Sequence, residues 1–405
     1  MAATLTYGTG LTCTIGCEVS VARPAEAPSL TADEVVKRLG AALAHPLDYP
    51  PLSNAIVPGD RVAIALERQT PAAELLVAGA LSGLRNAGVE PSHVTLLTST
   101  EFPAKQLLRS EFGQLGADEI QYEVHDPDDQ QRCTFLGVLE SGRALRLNQT
   151  LSEADCVLPI STSRLPLSSD ETGAKFSSLM SEFGDRETVE RFCAPIGMDS
   201  PVQRAKRVAE ADEALWRLGV GLAVLAVPSP AGGVAEIFAG EPVAVSKIAE
   251  PSCREIWSTQ VARRGDLVIV TMPGERDEQT WQNLGRCLLA AQRLVEESGA
   301  IAICSELEEP PGRSLQRLGD ADFATVEHEV MRDRSPDSWP ALVLSRALSR
   351  GPVYLRSCLA SEVVERLGMT PISEDEELSR LADSHRHCIV LHHGQRLVPT
   401  VADGH

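Results

Sequence analysis

Asp60-Arg61-Val62-Ala63-Ile64-Ala65-Leu66-Glu67-Arg68-Gln69-Thr70-Pro71 opens the stretch, ending at Ser99, whose reading decides the fold. Residues 61–66 have the length and apolar content of a buried strand. Pro71 suits a first helical turn, where its missing N–H costs nothing. Leu75, Leu76, Gly79, Ala80, Gly83 and Leu84 then recur at helical spacing, and Gly88 closes the helix. Val94-Thr95-Leu96-Leu97-Thr98 is the next strand. Strand, helix and strand make a βαβ unit, which predicts a parallel sheet covered by helices. The loop Glu67-Arg68-Gln69-Thr70 then lies at the sheet's carboxyl edge, where open α/β sheets bind ligands.

The pattern repeats from Asp266 to Ser305. Leu267-Val268-Ile269-Val270 is a strand and Pro273-Gly274-Glu275-Arg276-Asp277 a loop. A helix is predicted from about 278 to 297, with Leu284, Leu288, Ala291 and Val295 on one face. Gly299 caps it, and Ala300-Ile301-Ala302-Ile303-Cys304 is the return strand. Between the two units, Ala223 to Val227 and Val234 to Phe238 flank the breaker cluster Pro228-Ser229-Pro230-Ala231-Gly232-Gly233, the mark of a hairpin. Helices near 321–332 and 338–349 and strands at Val353 to Arg356 and Cys388 to His392 complete the chain. The expectation is an α/β fold: two α/β domains with mainly parallel sheets and an interdomain cleft, residues 1–260 forming one and 261–405 the other.

The 405 residues fit two domains. Hydrophobic residues make up 43% but aromatics only 4%, so the cores are aliphatic. A formal net charge of -20 disfavours nucleic acid and anionic membrane surfaces as partners. No apolar run approaches the roughly 20 residues that span a bilayer. Met1 to Tyr7 carries no basic region of a signal peptide. The ten cysteines stand singly, as free thiols do in a reducing compartment. A cytoplasmic protein is expected. Cys13 and Cys17 have neither zinc-knuckle nor redox spacing. No Gly-x-Gly-x-x-Gly follows a strand and no Walker lysine motif is present, so ordinary NAD or ATP binding is not supported.

Lys175 closes Thr172-Gly173-Ala174-Lys175, about twenty residues after the strand Asp155-Cys156-Val157-Leu158-Pro159-Ile160. A lysine behind small residues after a strand suits a phosphorylated or carboxylated ligand. No histidine lies between His125 and His328. Asn283 and Arg286 fall together on their helix, and an arginine there can clamp a carboxylate through two hydrogen bonds. The bland reading of Arg286 is a solvated helix face. His385, His387, His392 and His393 flank a strand, but without an acidic partner they read as an exposed strand end rather than a metal site. His125 reads as a loop residue. Ser373-Glu374-Asp375-Glu376-Glu377 reads as a helix N-terminal cap.

Taken together, four pieces resemble the nickel-pincer-nucleotide lactate racemase family, from about residue 58 to 305. They are the βαβ unit with Arg68 and Pro71; His125-Asp126 running into Phe135-Leu136-Gly137 and Leu151 to Asp155; Gly173-Ala174-Lys175 followed by Glu187-Thr188-Val189; and Phe238-Ala239-Gly240-Glu241-Pro242 leading to the helix around Gln282 to Ala291. The resemblance implies an active site between two α/β domains. It also implies a nickel-carrying pyridinium nucleotide on a lysine, at whose place Lys175 stands, with Arg68 beside the phosphate. The chain departs from the pattern where the family has histidines. It reads Thr98-Ser99-Thr100-Glu101-Phe102-Pro103, then Arg164-Leu165-Pro166-Leu167, then Arg191-Phe192-Cys193. Ala65 replaces an aspartate, which Glu67 substitutes imperfectly, and Asn283 and Arg286 replace a glutamine and a lysine. Taking a hydroxyl proton on either face of a 2-hydroxy acid needs a base such as imidazole, and nickel needs its imidazole ligand. Two expectations follow. One is a lactate-racemase-like isomerase of a small 2-hydroxy acid. The other is a non-catalytic paralogue, a pseudoenzyme binding a small carboxylate or nucleotide. The cofactor is left unknown and no metal ligand is assigned.

Overall fold

The computed structural model describes residues 3–16, 18–101, 105–167, 176–195, 200–319 and 323–402. Two six-stranded sheets carry the fold. In chain order their strands are β1 (Val19–Ala22), β2 (Val62–Leu66), β3 (Val94–Thr98), β4 (Gln121–Val124), β5 (Cys156–Thr162), β6 (Ala223–Pro228), β7 (Val234–Gly240), β8 (Gly265–Thr271), β9 (Val295–Cys304), β10 (Val353–Arg356), β11 (Thr370–Pro371) and β12 (Cys388–Leu391). The helices that position the site are α1 (Ala32–Ala44), α2 (Ala73–Asn86), α3 (Ser178–Phe183), α4 (Arg186–Cys193), α5 (Pro242–Trp257), α6 (Trp281–Gln292) and α7 (Asp375–Asp383).

The first sheet has the order β7-β6-β5-β2-β3-β4 and is parallel except for the β6–β7 hairpin. The second has the order β11-β10-β9-β8-β12-β1 and is parallel throughout. The mainly parallel α/β fold expected from the sequence is therefore present. Every residue of β2 is buried, as in a strand covered on both faces. Its outer cover is α1 on α2. Gly79 lets these helices close up, since a Cβ there would stand 2.9 Å from Leu39 Cβ. A shared apolar core runs from Ala63, Val157 and Leu225 through Trp257 to Val268, Val270 and Leu288 and joins the halves.

Two expectations are corrected. The helix read over 278–297 ends at Gln292, and β9 begins at Val295 rather than Ala300. The Gly265 N–H donates to Leu294 O and Gly265 pairs with Val295, so the sheet takes residues that helical spacing had claimed. Residues 3–22 were read with the first half but build into the second. β1 pairs with β12, and the hairpin Ala3–Tyr7/Leu11–Ile15 lays Leu5, Tyr7, Cys13 and Ile15 over Leu267, Ile269 and Val390. The Gly8 N–H also donates to Met272 O. The acidic run does cap a helix: α7 begins with a reciprocal box between Glu374 and Glu377.

Candidate functional site

Each sheet has one point where strand order reverses. β3 and β4 lie to one side of β2, with β5 on the other; β9, β10 and β11 lie to one side of β8, with β12 on the other. Loops leaving such strands diverge and open a crevice at the carboxyl edge. Here the two crevices meet. Gln69, after β2, donates from Nε2 to Asp277 O at 3.1 Å and to Thr280 Oγ1 at 3.2 Å, in the loop after β8. Its Oε1 accepts from Arg164 Nη2 at 3.0 Å. Arg286 on α6 donates from Nε to Gln395 O at 2.6 Å and from Nη2 to Leu165 O at 3.0 Å. Arg293 reaches Leu167 O in the same way.

On the first half's side, a carboxyl pair sits at the crevice. Glu182, on α3, accepts from the Arg68 N–H at 2.9 Å and from Ser99 Oγ at 2.8 Å. Desolvation and then the neighbouring Glu67 carboxylate push Glu182 up to about 7. Glu67 Oε2 in turn accepts from the Thr162 N–H at 3.0 Å. The exposed Arg68 side chain adds positive charge that both Glu182 and Asp277 feel. A carboxyl of this kind can exchange a proton near neutrality.

On the second half's side lies the turn after β12. His393 adopts a left-handed backbone, φ 53°, and its ring meets Trp257 edge-on at 5.5 Å. Burial, with His392 and Arg396 nearby, lowers its imidazole to about 4, so it is neutral at physiological pH. Glu278 pairs with Arg396 and accepts from Gln395 Nε2 at 3.4 Å. It fits there because Gly274 has no side chain: a Cβ would stand 2.8 Å from Glu278 Cβ. Gln69 and His393, on the two sides of this junction, both hold left-handed backbone. Such strain persists where surrounding structure enforces it, and functional sites are where it gathers.

The residues singled out from the sequence are distributed as follows. Arg68 lies at the junction. Lys175 and Phe102 lie outside the described residues. Arg286 lies between the halves but is buried, with two donors already on backbone carbonyls, so it is not a solvated face. Asn283 is also buried and donates to Glu278 O at 2.8 Å. His125 is a loop residue, just after β4, as read from the sequence, and it is buried: Nε2 bonds Gly184 O at 2.7 Å and Nδ1 meets Asn148 at 3.2 Å. His392 and His393 are likewise half-buried, not an exposed strand end. Glu182, Gln395 and Arg396 escaped the sequence reading, which placed Gln69 only as part of the loop after β2 and His393 only as part of a strand-end cluster. Nothing in local spacing marks a glutamate on a short helix as the partner of a loop more than a hundred residues upstream.

Nickel needs nitrogen or sulfur donors. Among the described residues, no three His, Cys, Asp or Glu side chains converge on a metal position. Burial pushes the Cys193 thiol up to about 11, so without a metal it is protonated at neutral pH. Arg164 is a bonded guanidinium, which donates only. The described residues do not fit nickel coordination. No described helix is long and apolar enough to cross a membrane.

Comparison with known proteins agrees with this architecture. Residues 9–162 match the lactate racemase N-terminal domain. The lactate racemase apoprotein from Thermoanaerobacterium thermosaccharolyticum superposes with a TM-score of 0.79 at 18% identity, over 98% of this chain and 100% of that one. A structural-genomics crystal structure of a Thermotoga maritima protein superposes with a TM-score of 0.67 at 10% identity, over 93% and 100%. No curated protein sequence matches. The N-terminal part of the chain is thus similar to the lactate racemase N-terminal domain, and along its length the chain shares the fold of the lactate racemase apoprotein.

Proposed function

We propose that this chain is a ligand-binding member of the family that does not racemise 2-hydroxy acids. Its cleft takes a small carboxylate- or phosphate-bearing ligand, with Arg68 and Lys175 meeting the anion. The observation that carries this reading is Arg164. It stands in the segment where the resemblance expects an imidazole, and its guanidinium is bonded to Gln69 across the crevice. A guanidinium keeps its proton at every physiological pH and cannot serve as the base on one face of a substrate. Arg286 contributes to carboxylate recognition in this reading only by exchanging the Leu165 carbonyl for ligand oxygen.

A second reading, an isomerase of a small 2-hydroxy acid with a lysine-anchored nucleotide, is favoured by Glu182. Its carboxyl near 7 supplies one acid–base group where the histidines are missing.

The two readings separate in one set of measurements on protein purified from its native host. Intact mass, nickel content and D/L-lactate interconversion are determined, and calorimetry follows lactate and inorganic phosphate. The expected result is no interconversion, no stoichiometric nickel, and anion binding weakened about tenfold or more by Arg68→Ala and by Lys175→Ala. Robust racemisation with stoichiometric nickel overturns the first reading.

A further inference from the structure

The second half holds a cavity of about 330 Å³ that the junction does not use. Its walls are the loops after β9, β10 and β11 and the hairpin of residues 3–15. Glu306 follows β9, Arg356 ends β10, Ser373 follows β11, and Tyr7 and Leu11 come from the hairpin. The carboxyl edge of a parallel sheet is where ligands bind, and this volume falls at the small end of ligand pockets. Leu11, Ser361 and Ser373 are exposed, so the cavity opens to solvent. Arg68, Glu182, Gln395 and Arg396 are not among its walls.

The polar walls are not set up for an anion. Arg356 donates from Nε to Tyr7 Oη at 2.6 Å and from Nη1 to Ser373 O at 2.7 Å, and Nη2 pairs with Asp375 at 3.1 Å. Its charge is therefore neutralised. Glu306 is not: Oε2 accepts from the Thr9 N–H and from Thr9 Oγ1, at 2.8 Å for the hydroxyl, and both donors are uncharged. Among the described residues no lysine or arginine pairs with it, since the nearby Arg276 pairs with Glu308. Gly8 admits this approach, because a Cβ there would stand 2.1 Å from Glu306 Oε2. Tyr7 supplies a donor. A guanidinium only donates, so Tyr7 Oη accepts from Arg356 and its own proton is left to give. Burial pushes the phenol above its ordinary value, so that proton stays on, and no acceptor takes it among the described residues.

We propose that this cavity is a second ligand site, which takes a small primary amine carrying a hydrogen-bond acceptor. The ammonium donates to Glu306 and the acceptor oxygen takes the Tyr7 proton. The net charge of -20 favours a cationic group over an anionic one in the same sense. A free amino acid and an amino alcohol share this chemistry, and the probes below separate them. The site stands independently of how the junction is read, because the two have no wall in common.

Calorimetry on the full chain titrates glycine and ethanolamine, each set against its N-trimethyl form, trimethylglycine and choline. The expected result is that one of the two amines binds, about tenfold or more tighter than the form that keeps the charge but has no N–H to donate. The tighter amine identifies the source. Glu306→Gln keeps an acceptor for Thr9 and removes the charge, and should weaken binding about tenfold or more. Tyr7→Phe keeps the buried ring and removes the donor, and should weaken it about fivefold. Arg68→Ala, at the junction, should bind the amine as the native protein does. Melting temperatures near the native value show that the two cavity variants are folded, and if one unfolds the other decides. Binding of neither amine at millimolar concentration overturns the proposal, with water filling the cavity. Equal affinity for the trimethyl form, or unchanged affinity in a folded cavity variant, overturns it as well.

Discussion

Gln69 Nε2 stands 3.2 Å from Thr280 Oγ1, the hydroxyl that also caps the first turn of α6 by accepting from the Asn283 N–H. One side chain from the first half's crevice loop thus touches the N-terminus of the second half's main helix. The same residue holds Arg164, so the two crevices are latched through one glutamine.

Gln69→Gly should loosen that latch. The variant removes the side-chain bonds to Asp277 O, Thr280 and Arg164, each contributing roughly 1 kcal/mol. It also relieves a left-handed backbone at φ 63°. The expected net change is a loss of about 1–2 kcal/mol in denaturant unfolding. Hydrogen exchange should quicken over residues 273–280. Unchanged exchange there would mean the halves are held without Gln69.

Arg286→Met should destabilise more. It leaves the Gln395 and Leu165 carbonyls without their guanidinium donor in a buried junction. A loss on the order of 2–4 kcal/mol is expected from two such groups. Equal melting temperatures for variant and native protein would show that these carbonyls find water instead.

Glu182 should make stability fall as pH rises. Its folded value, about 7, lies above the ordinary 4.5, so between those values the folded state keeps a proton that the unfolded state has released. The groups facing it are Glu67, Arg68 and Ser99. Glu182→Gln keeps the shape and cannot ionise. The variant should gain stability over native at pH 8 and gain little at pH 5, read by urea unfolding at both. A gain that does not depend on pH would contradict the raised carboxyl.

His393 should act in the opposite sense. Its folded value, about 4, lies below the ordinary 6.5, so in that window the unfolded state binds the extra proton and stability falls as the pH falls. His393→Asn tolerates the left-handed backbone and does not titrate there. Its stability profile from pH 7 to 4.5 should be flatter than the native one by the His393 contribution. Parallel profiles would place the imidazole in water rather than against Trp257.

What the sequence determined by itself is the part of the fold written in local periodicity. The run Arg61 to Leu66, the helical recurrence from Leu75 to Leu84 and the run Val94 to Thr98 specify strand, helix and strand, because burial on both faces demands continuous apolar strands and burial on one demands 3.6-residue spacing. They also placed Arg68 at a carboxyl edge, since connection rules allow a parallel pair no other arrangement. Local spacing failed at Val295, where sheet pairing with Gly265 overrode a helical pattern, and at residues 3–22, whose partners lie at the far end of the chain. It was silent on the junction. That Glu182 meets Arg68 and Ser99 depends on loops more than eighty residues apart being folded into one low-dielectric space. Only the tertiary structure sets the burial that raises one carboxyl and lowers one imidazole.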